Sequence, residues 1–194
     1  MYKIPISGGP HTGKTTLLHA LRAAFPEAHF LDEPAERVIG RELDKERRQA
    51  DYRGIYPVTD YPAFVPLVMA ESAALEAGVP PEAHLVFQDR SLIDNLGYGA
   101  LNGYEVVFPE LKRRIAAAQY AFALFCEPVG VYTATTIRHE TEEHARAIHS
   151  HLARAYDTSC IEVIHLPAVP VPDRVALVQQ AVAAMIQVQP PSAP

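Results

Sequence analysis

Residues 8–16 read Gly-Gly-Pro-His-Thr-Gly-Lys-Thr-Thr. The pattern G-x-x-x-x-G-K-[ST] is met without a mismatch by Gly8, Gly13, Lys14 and Thr15. The run before this stretch, 2–7, is short and mostly apolar, as a buried parallel strand is. The run after it, 16–25, carries leucines at helical spacing. The stretch therefore lies between a strand and a helix, the setting in which such a loop surrounds phosphate groups with backbone N–H groups.

A loop of this kind predicts a nucleoside triphosphate site that uses ATP and Mg²⁺. Its binding residues are expected to be Gly8, Gly9, Pro10, His11, Thr12, Gly13, Lys14, Thr15 and Thr16. Lys14 would reach the β- and γ-phosphates, and the Thr15 hydroxyl would bind Mg²⁺. The alternative is a glycine turn that happens to end in Lys-Thr, which the strand and helix on either side argue against. The chain has no Asn-Lys-x-Asp element for guanine, so ATP is favoured over GTP.

The length of 194 residues suits one α/β domain. We expect this domain over 1–188, with a small lid at about 133–145 and a disordered tail at 189–194. Apolar residues make up 48% of the chain, which is enough for a full core. No apolar run approaches the roughly 20 residues of a membrane span, and the first strand leaves no room for a signal peptide. A cytoplasmic protein without a membrane partner is therefore expected.

The net charge of −6 argues against a protein that binds a nucleic-acid duplex by neutralising many phosphates. A small anionic ligand is compatible with this charge, because the loop binds phosphate through backbone dipoles and a few local cations. Cys126 and Cys160 lack metal-ligand spacing and are predicted to be buried free thiols. Four histidines share one predicted helix: His139, His144, His149 and His151. Because no set of carboxylates or cysteines accompanies them, we interpret them as a solvated helical face rather than a metal site.

Strand-like apolar runs alternate with helical patterns, which predicts a parallel sheet with helices on both faces. The predicted strands are 2–7, 28–32, 84–88, 120–126 and 161–166. The predicted helices are 14–24, 34–48, 60–78, 91–101, 109–117, 140–157 and 171–187. We expect a three-layer P-loop fold whose five-stranded parallel sheet has the order 2-3-1-4-5. Ligands of open α/β sheets bind beyond the carboxyl ends of the strands, so the polar residues at those ends are the candidates for chemistry.

The second predicted strand ends in acidic residues, Asp32 and Glu33, followed by Pro34. Glu33 would accept a proton from a substrate hydroxyl as that oxygen attacks the γ-phosphate. Arg37 lies one helical turn beyond Glu33, on the same face, and would hold a second group of the substrate. The alternative is an N-terminal helix cap, because an acidic residue before a proline at the first helical position favours a helix start.

The third predicted strand ends in Asp89-Arg90-Ser91. An apolar strand that ends in Asp is how P-loop proteins supply a second Mg²⁺ contact. Arg90 would be attracted by a bound phosphate or carboxylate. The structural alternatives are that Asp89 caps the helix 91–101 and that Arg90 pairs with a nearby acid.

A Thr-rich polar segment follows the fourth predicted strand and precedes a long charged helix. In phosphoryl transfer a mobile arginine often covers the transferring group, and Arg138 is the candidate here, with Arg146 second. The alternative is a solvated helix with acid–base pairs such as Glu142/Arg146. In the helix that begins at Asp60, Tyr61 and Phe64 would either line an acceptor pocket or pack in the core, and aromatic residues at helical spacing favour packing.

With these residues in hand, the chain resembles the small bacterial P-loop proteins known as NadR-like or AAA-like ATPase/kinase domains. They are relatives of ribosylnicotinamide kinase and, more distantly, of deoxynucleoside kinases. The resemblance spans about the whole chain. It rests on 8–16, Glu33-Pro34-Ala35-Glu36-Arg37, Asp60-Tyr61-Pro62, Asp89-Arg90-Ser91 and the helix and strand at 140–166. It implies that Glu33 acts as a base or substrate ligand and that Asp89 and Arg90 contact metal and phosphate.

The sequence thus predicts an enzyme, an ATP-dependent kinase that transfers phosphate to a small hydroxyl-bearing metabolite such as a nucleoside. Its catalytic residues would be Lys14, Glu33, Asp89, Arg90 and Arg138, with Glu33, Arg37 and Tyr61 at the substrate and Thr15 and Asp89 at the metal. The alternatives are a nucleotide-hydrolysing switch that acts on a protein partner and a nucleotide-binding scaffold without turnover. A kinase needs an acceptor pocket between the helices 34–48 and 60–78, and a switch needs a loop that responds to the γ-phosphate.

Overall fold

The computed structural model describes residues 1–104, 109–129 and 141–188. Its strands are β1 (Tyr2–Ser7), β2 (His29–Leu31), β3 (Leu85–Asp89), β4 (Ala123–Cys126) and β5 (Val163–Leu166). Its helices are α1 (Lys14–Ala24), α2 (Pro34–Arg48), α3 (Tyr61–Ala77), α4 (Asp94–Leu101), α5 (Pro109–Ala117), α6 (Glu142–Asp157) and α7 (Val171–Val188). Each predicted element is present, and most of the differences are of one to three residues at the ends.

The five strands form a parallel sheet in the order β2-β3-β1-β4-β5, which confirms the predicted topology. Because β1 is central, the loop that follows it emerges in the middle of the carboxyl edge of the sheet. The ends of β2 and β3 lie to one side of this loop, and the ends of β4 and β5 lie to the other. The topology therefore brings the residues after all five strands to one edge.

Strand β4 is shorter than the predicted 120–126, and a proline in β1 explains the difference. Lys3 accepts a backbone hydrogen bond from Ala121, so residues 3 and 5 of β1 both direct their peptide groups toward β4. Pro5 has no N–H to donate on that side. The ladder between β1 and β4 is thus interrupted, with a bridge at Tyr120 and regular pairing from Ile6 onward.

Apolar side chains cover both faces of the sheet. On one face Ile4 and Ile6 of β1 pack against Leu17 and Leu21 of α1 and Val178 of α7. On the other face the buried cluster contains Ile93, Phe125, Ile148, Leu152 and Tyr156. Burial of a large apolar side chain stabilises a fold by about 1.5–3 kcal/mol, so these two layers hold the carboxyl edge of the sheet in place.

The cysteines differ in their surroundings. Cys126 is buried in β4, as predicted, and burial raises the pKa of its thiol to about 11. Cys160 is exposed, so the prediction of a buried thiol is wrong for this residue. The reason is that β5 begins only at Val163, which leaves Cys160 in the turn after α6. Among the helices of the described residues, none has the length and apolar character that crossing a membrane requires.

Candidate active site

The loop between β1 and α1 has a backbone that only small residues permit. Gly8 has a φ of 146°, and a Cβ atom there would lie 2.7 Å from the carbonyl oxygen of Cys126. The Thr12 hydroxyl donates a hydrogen bond to the Gly9 carbonyl at 2.9 Å, which closes the loop on itself. The P-loop predicted from the sequence therefore curls tightly at the end of β1, directly against the end of β4.

The peptide unit between Gly8 and Gly9 is held from both sides. Its carbonyl oxygen accepts a hydrogen bond from Arg90 Nη1 at 3.4 Å, and its N–H donates to His149 Nδ1 at 3.3 Å. A Cβ atom on Gly9 would lie 2.7 Å from the Cβ of His149, so helix α6 packs directly on the loop at this point. The P-loop is thus braced by β3 on one side and by α6 on the other.

Three of the predicted catalytic residues come together at the start of α1. Lys14 is largely buried, donates a hydrogen bond to Asp89 at the end of β3, and lies 4.0 Å from Glu33 Oε2. The two carboxylates come from neighbouring strand ends, as the sheet order requires. Lys14 therefore has carboxylate partners from two strand ends in this structure.

Glu33 occupies the N-cap position of α2, before Pro34, but its side chain makes no cap hydrogen bond. Instead the carboxylate turns toward the P-loop, where Arg90 Nε lies 3.0 Å from Oε2. Burial raises the pKa of Glu33 above its ordinary value of 4.5, and the nearby Arg90 and Lys14 charges oppose the shift without cancelling it. A partly desolvated carboxylate with a raised pKa is a suitable proton acceptor.

Arg90 adopts a left-handed backbone conformation, with a φ of 59°. Such a conformation costs a non-glycine residue about 1–3 kcal/mol and is found most often at functional sites. The Arg90 N–H donates to the Ile6 carbonyl at 2.9 Å, and its guanidinium lies 3.0 Å from Asp94 Oδ1. Burial opposes ionisation, but Glu33 and Asp94 outweigh it and raise the pKa of Arg90, so this side chain stays charged.

Asp94 is a residue that the sequence analysis missed. It is only 3% exposed, and besides Arg90 its carboxylate accepts hydrogen bonds from the Ser7 hydroxyl at 2.6 Å, the Ser91 N–H at 2.8 Å and the Tyr156 hydroxyl at 2.6 Å. The structure does not support the cap alternative considered for Asp89, because α4 begins at Asp94 with Ile93 at the N-cap position and no side-chain cap hydrogen bond. Asp94 instead accepts from the Ser91 N–H in the turn that precedes the helix. The spacing from Ser91 to Asp94 is the S-x-x-D pattern of a helix start, which was available as a signal.

The predicted substrate residues lie apart from one another. Arg37 is half-exposed, with Nε 2.6 Å from Glu71 and Nη1 3.5 Å from Asp32. Tyr61 is only 1% exposed and donates a hydrogen bond to the Asn95 carbonyl. The structure therefore gives Tyr61 the packing role considered as its alternative. Arg37 is part of an ion pair that joins α2 to α3, and Val38 packs against Phe64 and Val68 between these helices.

The remaining predicted residues divide into three groups. Thr15 and Thr16 are exposed in the first turn of α1. Arg146 pairs with Glu142 at 3.1 Å, which is the surface pair considered in the sequence analysis. Arg138, with most of the predicted lid and the predicted tail, lies outside the described residues, so the lid arginine stays a prediction.

The interpretation of the histidines as a solvated face is wrong for His149. In addition to its contact with Gly9, its Nε2 atom lies 3.1 Å from Glu127 Oε2 at the end of β4. Glu127 Oε1 in turn lies 2.7 Å from His165 Nδ1, and hydrogen bonding to Glu127 raises the pKa of His165. The half-buried imidazole of His149 therefore connects the P-loop, through Glu127, to the ends of β4 and β5.

A cavity of about 490 Å³ lies at the opposite edge of the sheet, where β2 and β3 begin. Its lining includes Phe25, His29, Pro80 and His84. The P-loop, the carboxylates and the arginine gather at the carboxyl edge instead, so we place the active site there.

A central-strand P-loop, a sheet of order 2-3-1-4-5 and carboxylates at the ends of β2 and β3 together define a P-loop nucleotide-binding protein. The chain belongs to a family described as an AAA domain, whose sequence profile matches residues 3–174. No curated protein matches the chain. The predicted resemblance to this group of small P-loop proteins is confirmed.

Solved structures with the same fold include the NadR protein in complex with NR, with a TM-score of 0.68 and 21% identity. The match covers 97% of this chain but 52% of the NadR chain, so this protein spans about half the length of that relative. A NadR structure with NAD and AMP-PNP is also similar, with a TM-score of 0.62 and 20% identity over 100% of this chain and 51% of that one. Thymidylate kinase from Candida albicans has a TM-score of 0.64 and 12% identity, over 94% of this chain and 91% of that one.

Proposed function

We propose that the protein is an ATP-dependent kinase that transfers the γ-phosphate to a hydroxyl group of a small metabolite such as a nucleoside. The observation that carries the proposal is the position of Glu33. Its carboxylate is mostly buried, lies 4.0 Å from the P-loop lysine Lys14, and has a raised pKa. A base beside the phosphate-binding lysine is what a kinase requires to orient and deprotonate an acceptor hydroxyl.

The triphosphate would be bound by the P-loop N–H groups and Lys14. The similar NadR structure that contains AMP-PNP supports this assignment, because AMP-PNP carries a triphosphate-like chain. On binding, the Lys14 ammonium would leave Asp89 and contact phosphate oxygens. The negative charge of the phosphates replaces the carboxylate as partner of the lysine, so the exchange keeps the buried ammonium paired.

Mg²⁺ fits the donor set at this place. The Thr15 hydroxyl and the Asp89 carboxylate supply oxygen atoms, which are the ligands that Mg²⁺ prefers. Once Lys14 has moved to the phosphates, the Asp89 carboxylate is released for the metal. The bound ion would neutralise charge on the phosphate oxygens.

Charge pairing around the acceptor side favours a hydroxyl acceptor without a phosphate group. Arg37 and Arg41 share the carboxylate of Glu71, and Arg90 is paired with Glu33 and Asp94. A phosphorylated acceptor would have to displace these carboxylates and would face the negative charge of Glu33. A neutral or cationic acceptor meets neither cost. Among the similar structures, this makes the NadR protein in complex with NR a better guide to the ligand than the thymidylate kinases.

The proposal is tested with labelled ATP and three pools of acceptors: nucleosides, nucleoside monophosphates and small alcohols. We expect labelled product from the nucleoside pool and none from the monophosphate pool, with Lys14→Ala as the inactive control. Transfer to monophosphates alone would overturn the assignment of the acceptor. Steady ATP hydrolysis with no labelled product in any pool would favour the hydrolysing switch instead.

A further inference from the structure

Arg174, in the first turn of α7, is a charged residue inside the protein. It is 1% exposed, and its guanidinium donates hydrogen bonds to three backbone carbonyls. Nη1 donates to Thr12 in the P-loop, Nη2 to Glu127 at the end of β4 at 2.8 Å, and Nε to Pro167 at the end of β5 at 2.7 Å. One side chain therefore connects the P-loop to the ends of two strands.

Within residues 1–104, 109–129 and 141–188, Arg174 forms no ion pair, and its hydrogen bonds go to backbone carbonyls. An arginine does not lose its proton in proteins, so among these residues carbonyl dipoles balance the buried charge. A buried charge without a counter-ion is costly to a fold. The charge lies beside the loop expected to bind a polyanion, where it would attract phosphate.

The contact with Thr12 also fixes the direction of an N–H group. In a trans peptide unit the C=O and the N–H point in opposite directions. Because the Thr12 carbonyl points to Arg174, the Gly13 N–H of the same peptide unit points away from Arg174. Among the described residues this N–H has no acceptor. It is therefore free to donate to a ligand.

We propose that Arg174 is a positioning residue for the triphosphate: it orients the Gly13 N–H toward the phosphates and adds a permanent positive charge behind the loop. This inference rests on the proposed nucleotide binding. It assigns a phosphate-binding role to a residue that is remote in sequence from the P-loop and makes no direct contact with the ligand.

The test compares Arg174→Gln and Arg174→Lys with Val178→Ala, which removes core packing one turn further along α7 and leaves the P-loop contacts intact. Affinities for tripolyphosphate and for ATP, each with Mg²⁺, are measured by calorimetry well below the melting temperature of each variant. Tripolyphosphate has no base or ribose, so it reports on the phosphate site alone. We expect Arg174→Gln to bind both ligands about tenfold or more weakly, the scale of a lost charge-assisted contact. Arg174→Lys should recover part of the loss, and Val178→Ala should bind both normally.

Four results would overturn the inference: equal tripolyphosphate affinity in wild type and Arg174→Gln, an equal loss in Val178→Ala, no recovery in Arg174→Lys, or a loss for ATP alone. If wild type binds neither ligand, the proposed nucleotide binding fails as well. The wild-type protein provides a readout that requires no variant. We expect the ¹⁵N-labelled amide resonance of Gly13 to shift as tripolyphosphate saturates the protein, and an unchanged resonance would contradict the inference.

Discussion

The ammonium group of Lys14 in the P-loop donates a hydrogen bond to the carboxylate of Asp89 at the end of β3. Each of these residues is proposed to have a different partner during the reaction, phosphate for Lys14 and Mg²⁺ for Asp89. In this structure the pairing spares the largely buried Lys14 ammonium the cost of an unpaired charge.

Asp89→Asn keeps the shape of the side chain and removes its charge. Because a neutral amide is a poorer ligand for Mg²⁺ than a carboxylate, we expect the variant to need more Mg²⁺ for ATP binding. We expect a smaller loss of stability than a fully buried carboxylate would give, because the Asp89 side chain is 21% exposed and Glu33 remains 4.0 Å from Lys14. Calorimetry over a range of Mg²⁺ concentrations measures the first effect. A much lower melting temperature with normal use of Mg²⁺ would mean that Asp89 is structural.

Asp94→Asn is the contrasting change, because Asp94 is buried and accepts hydrogen bonds from Ser7 of strand β1 and Tyr156 of helix α6. The substitution leaves the Arg90 guanidinium without one of its carboxylates. It also replaces one acceptor oxygen by an amide NH2 group, a donor that faces the donor groups of Ser7, Ser91 and Tyr156. We expect the free energy of unfolding to fall by about 3–5 kcal/mol, the cost of breaking a buried ion pair. Urea denaturation measures it, with Asp89→Asn as the matched control. Equal stability of the two variants would contradict the structural role of Asp94.

His149 makes two contacts that can be removed separately. Asn offers a carbonyl oxygen near the place of Nδ1 and can accept from Gly9, whereas Gln reaches toward Glu127 in the manner of Nε2. If the hydrogen bond from the Gly9 N–H to His149 is needed for ATP binding, His149→Asn should bind ATP nearly as wild type does. His149→Gln should bind it about three to ten times more weakly, the scale of one neutral hydrogen bond. Measured affinities in the reverse order would show that the contact with Glu127 is the important one.

The raised pKa of Glu33 predicts two dependences on pH. As the pH falls through this raised pKa, the carboxylate takes up a proton and can no longer act as a base. Because the profile of kcat/KM reports the free enzyme, kcat/KM should fall on the acid side with a midpoint above the ordinary value of 4.5. A carboxyl group with a raised pKa in the folded state binds its proton more tightly when folded, so ionised Glu33 lowers stability at neutral pH. The melting temperature of Glu33→Gln should therefore be equal to or higher than that of wild type at neutral pH. Any excess in melting temperature should shrink as the pH falls, because Glu33 then becomes protonated in the wild type. A midpoint at or below 4.5 would contradict the assignment.

Local sequence predicts those residues of the site that directly follow a strand. The P-loop, Glu33, Asp89 and Arg90 each follow a predicted strand directly, and parallel strands place their carboxyl ends at one edge. The direction in which Glu33 points was open, because a cap and a site residue have the same sequence position. The structure resolves this through Arg90 and Lys14, which are distant in sequence and attract the carboxylate.

The parts that could not be predicted depend on long-range contacts. Arg174 is 162 residues from Thr12, and His149 is 140 residues from Gly9. Nothing in the local pattern of α7 or α6 distinguishes an inward-pointing charged residue from a solvated one, because helical periodicity alone does not reveal which polar side chain meets a backbone carbonyl. Only the packing of these helices on the carboxyl edge of the sheet shows it.

Phosphoryl transfer by Glu33→Gln shows whether the Glu33 carboxylate acts as the base for an acceptor hydroxyl. Labelled ATP is incubated with wild type or variant and with the nucleoside pool, and both labelled product and released phosphate are followed. We expect nearly unchanged ATP affinity and a fall in product formation of roughly 10²-fold or more, the scale of a lost general base. Product formation by Glu33→Gln at the wild-type rate would show that Glu33 is not this base.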